Sequence, residues 1–148
     1  MKKSIRTMLG VTLLEIMLVL AVAAMVIVLS IRYYSSATAS SQANAMMGTF
    51  QAIIASAGNI ALGTGTYSGV TDTAMATIIK PYQSPWGVSD VKVAGTAASF
   101  TVTVTGSTPA GVCALLLPKL KADPHMTSVT PSCTDGGLIT FTYSPSAS

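Results

Sequence analysis

The sequence predicts an α+β protein. A long N-terminal helix, apolar all round in its first half and amphipathic in its second, packs on a small, mainly antiparallel β-sheet. Three observations predict it. Val11 to Ile31 is a run of twenty-one residues with one charge, Glu15. From about Ser35 to Ala61, apolar or small residues recur at spacings of three and four, the period of a helix. Ser99–Thr105 (SFTVTVT) and Leu138–Tyr143 (LITFTY) instead carry the β-branched, period-two pattern of half-buried strands. Helices and strands do not alternate regularly, which separates this order from a parallel α/β fold.

The first element is the apolar run. A helix rises ~1.5 Å per residue, so the run is ~30 Å long, about one hydrocarbon core. Lys2, Lys3 and Arg6 precede it, and positive charge stays on the cytoplasmic side. Residues beyond Arg32 are therefore expected outside the inner membrane. A cleavable secretory signal would have a shorter apolar core followed by an A-x-A-like site; here only a loose Ser/Ala mixture follows. Glu15 stands out, because an ionised carboxylate costs ~2.5–3.5 kcal/mol at the centre of a membrane helix and somewhat less near its end. Thr12-x-x-Glu15 has the form of a capping box, and a helix N-terminus favours negative charge.

The same helix should run on from Ser35, with Ala39, Ala43, Met46, Met47, Phe50, Ile53, Ile54, Ala57, Ile60 and Ala61 on one face. Ser40, Gln42, Asn44, Thr49, Gln51 and Ser56 occupy the other. Gly48 is the weak spot within it, and the glycines of Gly58–Gly65 should end it. Tyr67–Val70 reads as a loop. A short helix is expected over Asp72–Lys80, capped by Thr71 or Asp72, with Met75, Ile78 and Ile79 inward and Pro81 as its stop. Ser84-Pro85-Trp86-Gly87 is a turn, and its tryptophan reads as a core or turn anchor. Val88–Ala94 is a first strand, Ala94–Ala98 a hairpin turn and Ser99–Thr105 the second strand.

A third helix should open with Thr108 as cap and Pro109 at its first position, followed by a stripe of Val112, Cys113, Leu115, Leu116 and Leu120. Pro118 should break or kink it, with Lys119 and Lys121 near its C-terminus. Asp123–Thr134 reads as a loop, Leu138–Tyr143 as a last strand entered through Gly136-Gly137, and Ser144–Ser148 as a polar tail. Cys113 and Cys133 both fall on the expected outer side. An oxidising compartment and an even count favour one disulfide over two buried thiols.

Leu9-Gly10-Val11-Thr12-Leu13-Leu14-Glu15 resembles the prepilin cleavage signature of type IV pilins and pseudopilins. The resemblance implies that a membrane peptidase cuts after Gly10 and methylates the new amine of Val11. Glu15, at the fifth mature position, would then neutralise the amine of a neighbouring subunit in the filament. Val11 as first mature residue points to class b pilins. The partial match of Ser84–Val88 to their P-W-G-G-type turn, with Val88 in place of the second Gly, points the same way. Class a pilins carry a Pro where this chain has Arg32, so a straighter helix is expected here.

The implied organisation is a cleaved leader (1–10), a transmembrane and filament-core helix (11–34), an amphipathic half (35–62) and a globular pilin head (63–148). The head would have a C-terminal region stapled by Cys113–Cys133. The implied partners are copies of this chain, the prepilin peptidase, the assembly machinery of the inner membrane and the membrane itself. The implied role is that of a filament subunit for adhesion, aggregation or conjugative contact. A minor pilin, or a pseudopilin of a type II secretion or DNA-uptake system, would share this N-terminus. A plain single-pass anchored adhesin that never polymerises is the alternative of another class.

Composition bears on the other classes. The leader holds Lys2, Lys3 and Arg6, three of the eight basic residues, leaving five basic against five acidic groups. The net charge of +3 thus belongs to the leader and does not argue for nucleic-acid binding by the head. One histidine, His125, stands in a Pro-rich loop without a second ligand at metal-site spacing, and reads as solvated. Asp72, Asp90, Asp123 and Asp135 are scattered singly. No catalytic constellation, metal site, phosphate loop or cofactor motif is expected, and the chain does not read as an enzyme.

Overall fold

The computed structural model describes residues 12–78, 84–87, 90–131, 133 and 137–146. It is an α+β protein in which a long helix packs on a four-stranded antiparallel sheet. Helix α1 runs Leu13–Thr64 without interruption through Arg32 and Gly48. A 3-10 turn, Tyr67–Gly69, and helix α2, Asp72–Ile78, follow. Then come β1 (Asp90–Gly95), β2 (Phe100–Thr108), helix α3 (Ala110–Ala122), β3 (Met126–Pro131) and β4 (Gly137–Tyr143). The sheet order is β1-β2-β4-β3. The chain divides into two compact units between Ser36 and Ala37.

In the second unit the periodicity of α1 becomes a buried stripe of Ala43, Met46, Phe50, Ile53, Ser56 and Ala57. Ser56, expected on the polar face, lies inside. The inner face of the sheet meets this stripe. Val91, Val93, Phe100, Val102, Val104, Ile139 and Phe141 are all buried, and the Phe50 and Phe141 rings meet edge to face at 4.9 Å. Such aromatic pairs add ~0.5–1.5 kcal/mol beyond the area they bury. The outer face carries threonines in register, Thr103 opposite Thr140 and Thr101 opposite Thr142, the second pair joined by a 3.1 Å hydrogen bond. The period-two reading of β2 and β4 is this division into two faces.

Several boundaries differ from expectation, each for a physical reason. Thr108 does not cap α3; it is the last residue of β2, which ends three residues later than expected, and is buried. Pro109 is the N-cap residue, and its carbonyl accepts from Val112 N and Cys113 N at 3.0 Å each. Pro118 neither ends nor breaks α3, which continues to Ala122. Leu116 and Leu120, buried on either side of the proline, hold that turn against the core. Leu115 and Ile78, expected inward, are exposed. Thr71 caps α2 through Ala74 N–H, while Ile79, Lys80 and Pro81 lie outside the described residues, as do Val88 and Gly136.

The largest departure is β3, which occupies part of the expected loop Asp123–Thr134. Thr127 pairs with Thr142 and Thr130 with Thr140, so two residues, Ser128 and Val129, face one on β4. This is a β-bulge, and Ser128 takes a positive φ of 52° to make it. The bulge places the inward residues Met126 and Val129 three apart instead of two.

Both sheet edges are blunted. On β1, Gly95 N–H donates to Val70 O at 2.8 Å and Val93 N–H to the Asp72 carboxylate, so residues 70–72 cover the edge. On β3, the bulge and Pro131, which has no N–H, interrupt it. Gly95 is required where it stands. A Cβ there would lie 1.8 Å from Tyr67 O and 2.9 Å from Val70 O.

Candidate functional site

The residues singled out in the sequence fall in two places. Gly10 and Val11 lie outside the described residues. Thr12 and Glu15 sit at the start of α1. Thr12 Oγ1 accepts from Glu15 N–H at 3.3 Å, and Thr12 O accepts from Glu15 N–H at 2.9 Å and Ile16 N–H at 3.2 Å. Thr12 therefore acts as the N-cap, the first half of a capping box. Among the described residues no cation pairs with the Glu15 carboxylate.

From Thr12 to Ala37 every residue is exposed, including Leu13 and Leu14 at 75% each, Leu20 at 63% and Ile31 at 63%. This helix holds a segment long and apolar enough to cross a membrane. Two of its serines bond the helix's own backbone. The Ser30 hydroxyl donates to Val26 O at 2.8 Å, so it adds no unsatisfied group to the apolar surface. Ser35 Oγ donates to Arg32 O at 3.0 Å.

In the head, Cys113 and Cys133 are joined in a disulfide with Cα atoms 5.5 Å apart. It ties α3 to the β3–β4 connection across a separation of 20 residues. Closing such a loop contributes roughly 3 kcal/mol in the chain-entropy description. Lys119 Nζ donates to Asn44 Oδ1, fastening α3 to α1.

One feature has no sequence signal, because it gathers residues far apart in the chain. Tyr67, Phe100, Tyr143 and His125 form a row of rings with successive centroids 5.5, 5.2 and 5.9 Å apart. Burial, then the neighbouring Tyr67 and Asp123, push the Tyr143 phenol above the ordinary tyrosine range. His125 is part-buried rather than solvated. Its Nδ1 lies 3.3 Å from Ser144 O, and its backbone N–H donates to Asp123 Oδ1 at 2.9 Å. Phe100 is fully buried inside the row, so these rings make a packed cluster and not an open platform. Among the described residues no three His, Cys, Asp or Glu side chains gather as metal ligands. The Trp86 turn closes through Gly87 N–H to Ser84 O at 3.1 Å, and Trp86 packs against the core.

No family model, no curated protein and no solved structure matches this chain.

Proposed function

We propose that this chain is a structural subunit of a type IV pilus. It is processed after Gly10, methylated at Val11, and held in the inner membrane by the apolar half of α1 with its N-terminus cytoplasmic. It then polymerises with copies of itself through these helices into an extracellular filament for adhesion, aggregation or conjugative contact. The observation that carries this reading is Glu15, the one carboxylate in an exposed apolar helix, with no cation paired to it among the described residues. A plain anchor would use this charge only at its helix N-terminus, against its cost in lipid. A helix that must find the amine of a neighbouring copy does, because pairing is strongest in apolar surroundings. The blunted edges of β1 and β3 support the same route, since they disfavour assembly by strand addition.

The test compares wild type with Glu15→Ala in cells. Wild type should form surface filaments in which this chain, shortened by its leader, is the main component. Glu15→Ala should remain inserted and disulfide-bonded but yield no filaments by electron microscopy. Filaments at wild-type abundance from Glu15→Ala would remove the pairing mechanism.

A further inference from the structure

The apolar half of α1 ends in Arg32-Tyr33-Tyr34, and the pilin reading gives this triplet no role. Arg32 is the one charged residue between Glu15 and Asp72. No carboxylate pairs with it among the described residues. It lines a shallow groove with Ala24, Met25, Val28 and Leu29. Its stem therefore lies back over the preceding turns, the direction in which helical side chains point. Tyr33 and Tyr34 are 83% and 74% exposed, more than most of the aliphatic residues before them. Immediately beyond, Ser35, Ser36, Thr38, Ser40, Ser41 and Gln42 change the surface to a polar one.

We propose that Arg32, Tyr33 and Tyr34 form a collar seated in the phospholipid headgroups, on the face of the membrane opposite the leader. The inference rests on the membrane-spanning part of the reading above. Tyrosine places an apolar ring against the acyl boundary and its hydroxyl in the headgroup layer, which is why it gathers at membrane interfaces. Arginine keeps its aliphatic stem on apolar surface, and its guanidinium matches a phosphate with two parallel hydrogen bonds. Their Cα atoms stand at the edge of the hydrocarbon, so the arginine stem and the tyrosine rings rest on apolar surface while the guanidinium and the hydroxyls turn outward to the headgroups. Leu13 to Ile31, nineteen residues and ~28 Å of helix, then fill one hydrocarbon core. The collar fixes the depth of the stored subunit and keeps the Ser-rich turn after it in water.

The test uses the whole chain in phosphatidylcholine vesicles containing phosphatidylglycerol, with lipids brominated either near the headgroup or near the chain end. Leu20→Trp and Tyr33→Trp are compared after subtraction of the wild-type signal from Trp86; both positions are exposed, so folding is undisturbed. The reporter at position 20 should be quenched more by deep than by shallow bromines, and the reporter at position 33 more by shallow than by deep. Adding Arg32→Leu should move the reporter at 33 toward the deep bromines.

A deep signal at 20 with a reporter at 33 open to aqueous acrylamide and untouched by bromine overturns the collar while leaving the spanning helix standing. No deep signal at 20 overturns both. Protection at 33 that appears only at high protein-to-lipid ratio assigns the triplet to a second copy and overturns the lipid contact. An unmoved reporter with Arg32→Leu removes Arg32 from the collar.

Discussion

The two halves of α1 have the same backbone and opposite surroundings. Up to Ser36 the helix buries nothing, although Leu, Ile, Val and Met dominate it. From Ala37 it is far more polar, yet it supplies Ala43, Met46, Phe50, Ile53 and Ala57 to the core. What differs is pattern. The first half is apolar on all sides, so it has no face to turn toward a protein core and suits a solvent that is itself apolar. The second half confines its large residues to one stripe and presents that stripe to the sheet. Total hydrophobicity thus runs opposite to burial along this one helix, and the arrangement of apolar residues decides which half is packed into the core.

The largest effect that would break this comparison is a matched pair of truncations. Phe50→Ala should destabilise the head by about 3–5 kcal/mol, through lost transfer energy and the cavity left beside Phe141. Leu20→Ala should leave head unfolding within about 0.5 kcal/mol of wild type, because the side chain touches no core. Denaturant titration of the full chain in detergent, following head tryptophan emission, measures both. Equal losses would mean that the halves are not distinct.

This division was legible because it rests on periodicity, and so were β2, β4, the Trp86 turn and the end of α1. The missed features each have a local cause. β3 escaped because its bulge spaces Met126 and Val129 three apart, which is not the strand period. The extension of β2 escaped because Gly106, at φ 119°, sits in the irregular pairing between Val104 and Thr108 and ends the alternation early. Pro118 reads from the sequence as a break or kink in α3 because propensity is local, whereas the burial of Leu116 and Leu120, which carries the helix through it, is not. Of the candidate site, Thr12 and Glu15 could be read from their spacing of three. The row from Tyr67 to His125 could not, since only the folded sheet brings those rings together.

A smaller effect sharpens the comparison through glycine. A Cβ at Gly48, on the exposed side of α1, would meet nothing within 4 Å. Gly48→Ala should stabilise the isolated chain by about 1 kcal/mol through helix propensity alone. Gly95→Ala makes the same chemical change where the added carbon strikes Tyr67 O and Val70 O. These are backbone atoms that cannot rotate away, so the cost should lie at the upper end of the ~1–3 kcal/mol of overpacking. It should also open the cover that residues 70–72 place over β1, visible as faster amide exchange at Val93 and Gly95. Shifts of the same sign in the two variants would show that the space around the two glycines is not what separates them.

The smallest effect concerns hydroxyls. In the apolar half, the Ser30 hydroxyl donates a hydrogen bond to Val26 O, so Ser30→Ala should change head stability by less than about 0.5 kcal/mol. In the head, Thr108 is 1% exposed and its Oγ1 has no hydrogen-bond partner among the described residues. A buried hydroxyl left unpaired costs about 1–3 kcal/mol, whereas a methyl of the same shape in its place costs nothing in desolvation. Valine also keeps the β-branched form that suits the end of β2. Thr108→Val should therefore raise the denaturant midpoint at constant slope, a gain of about 1 kcal/mol. A loss instead would mean that Oγ1 is satisfied in solution by a buried water. The head would then treat its polar groups as strictly as the apolar half of α1 treats Ser30.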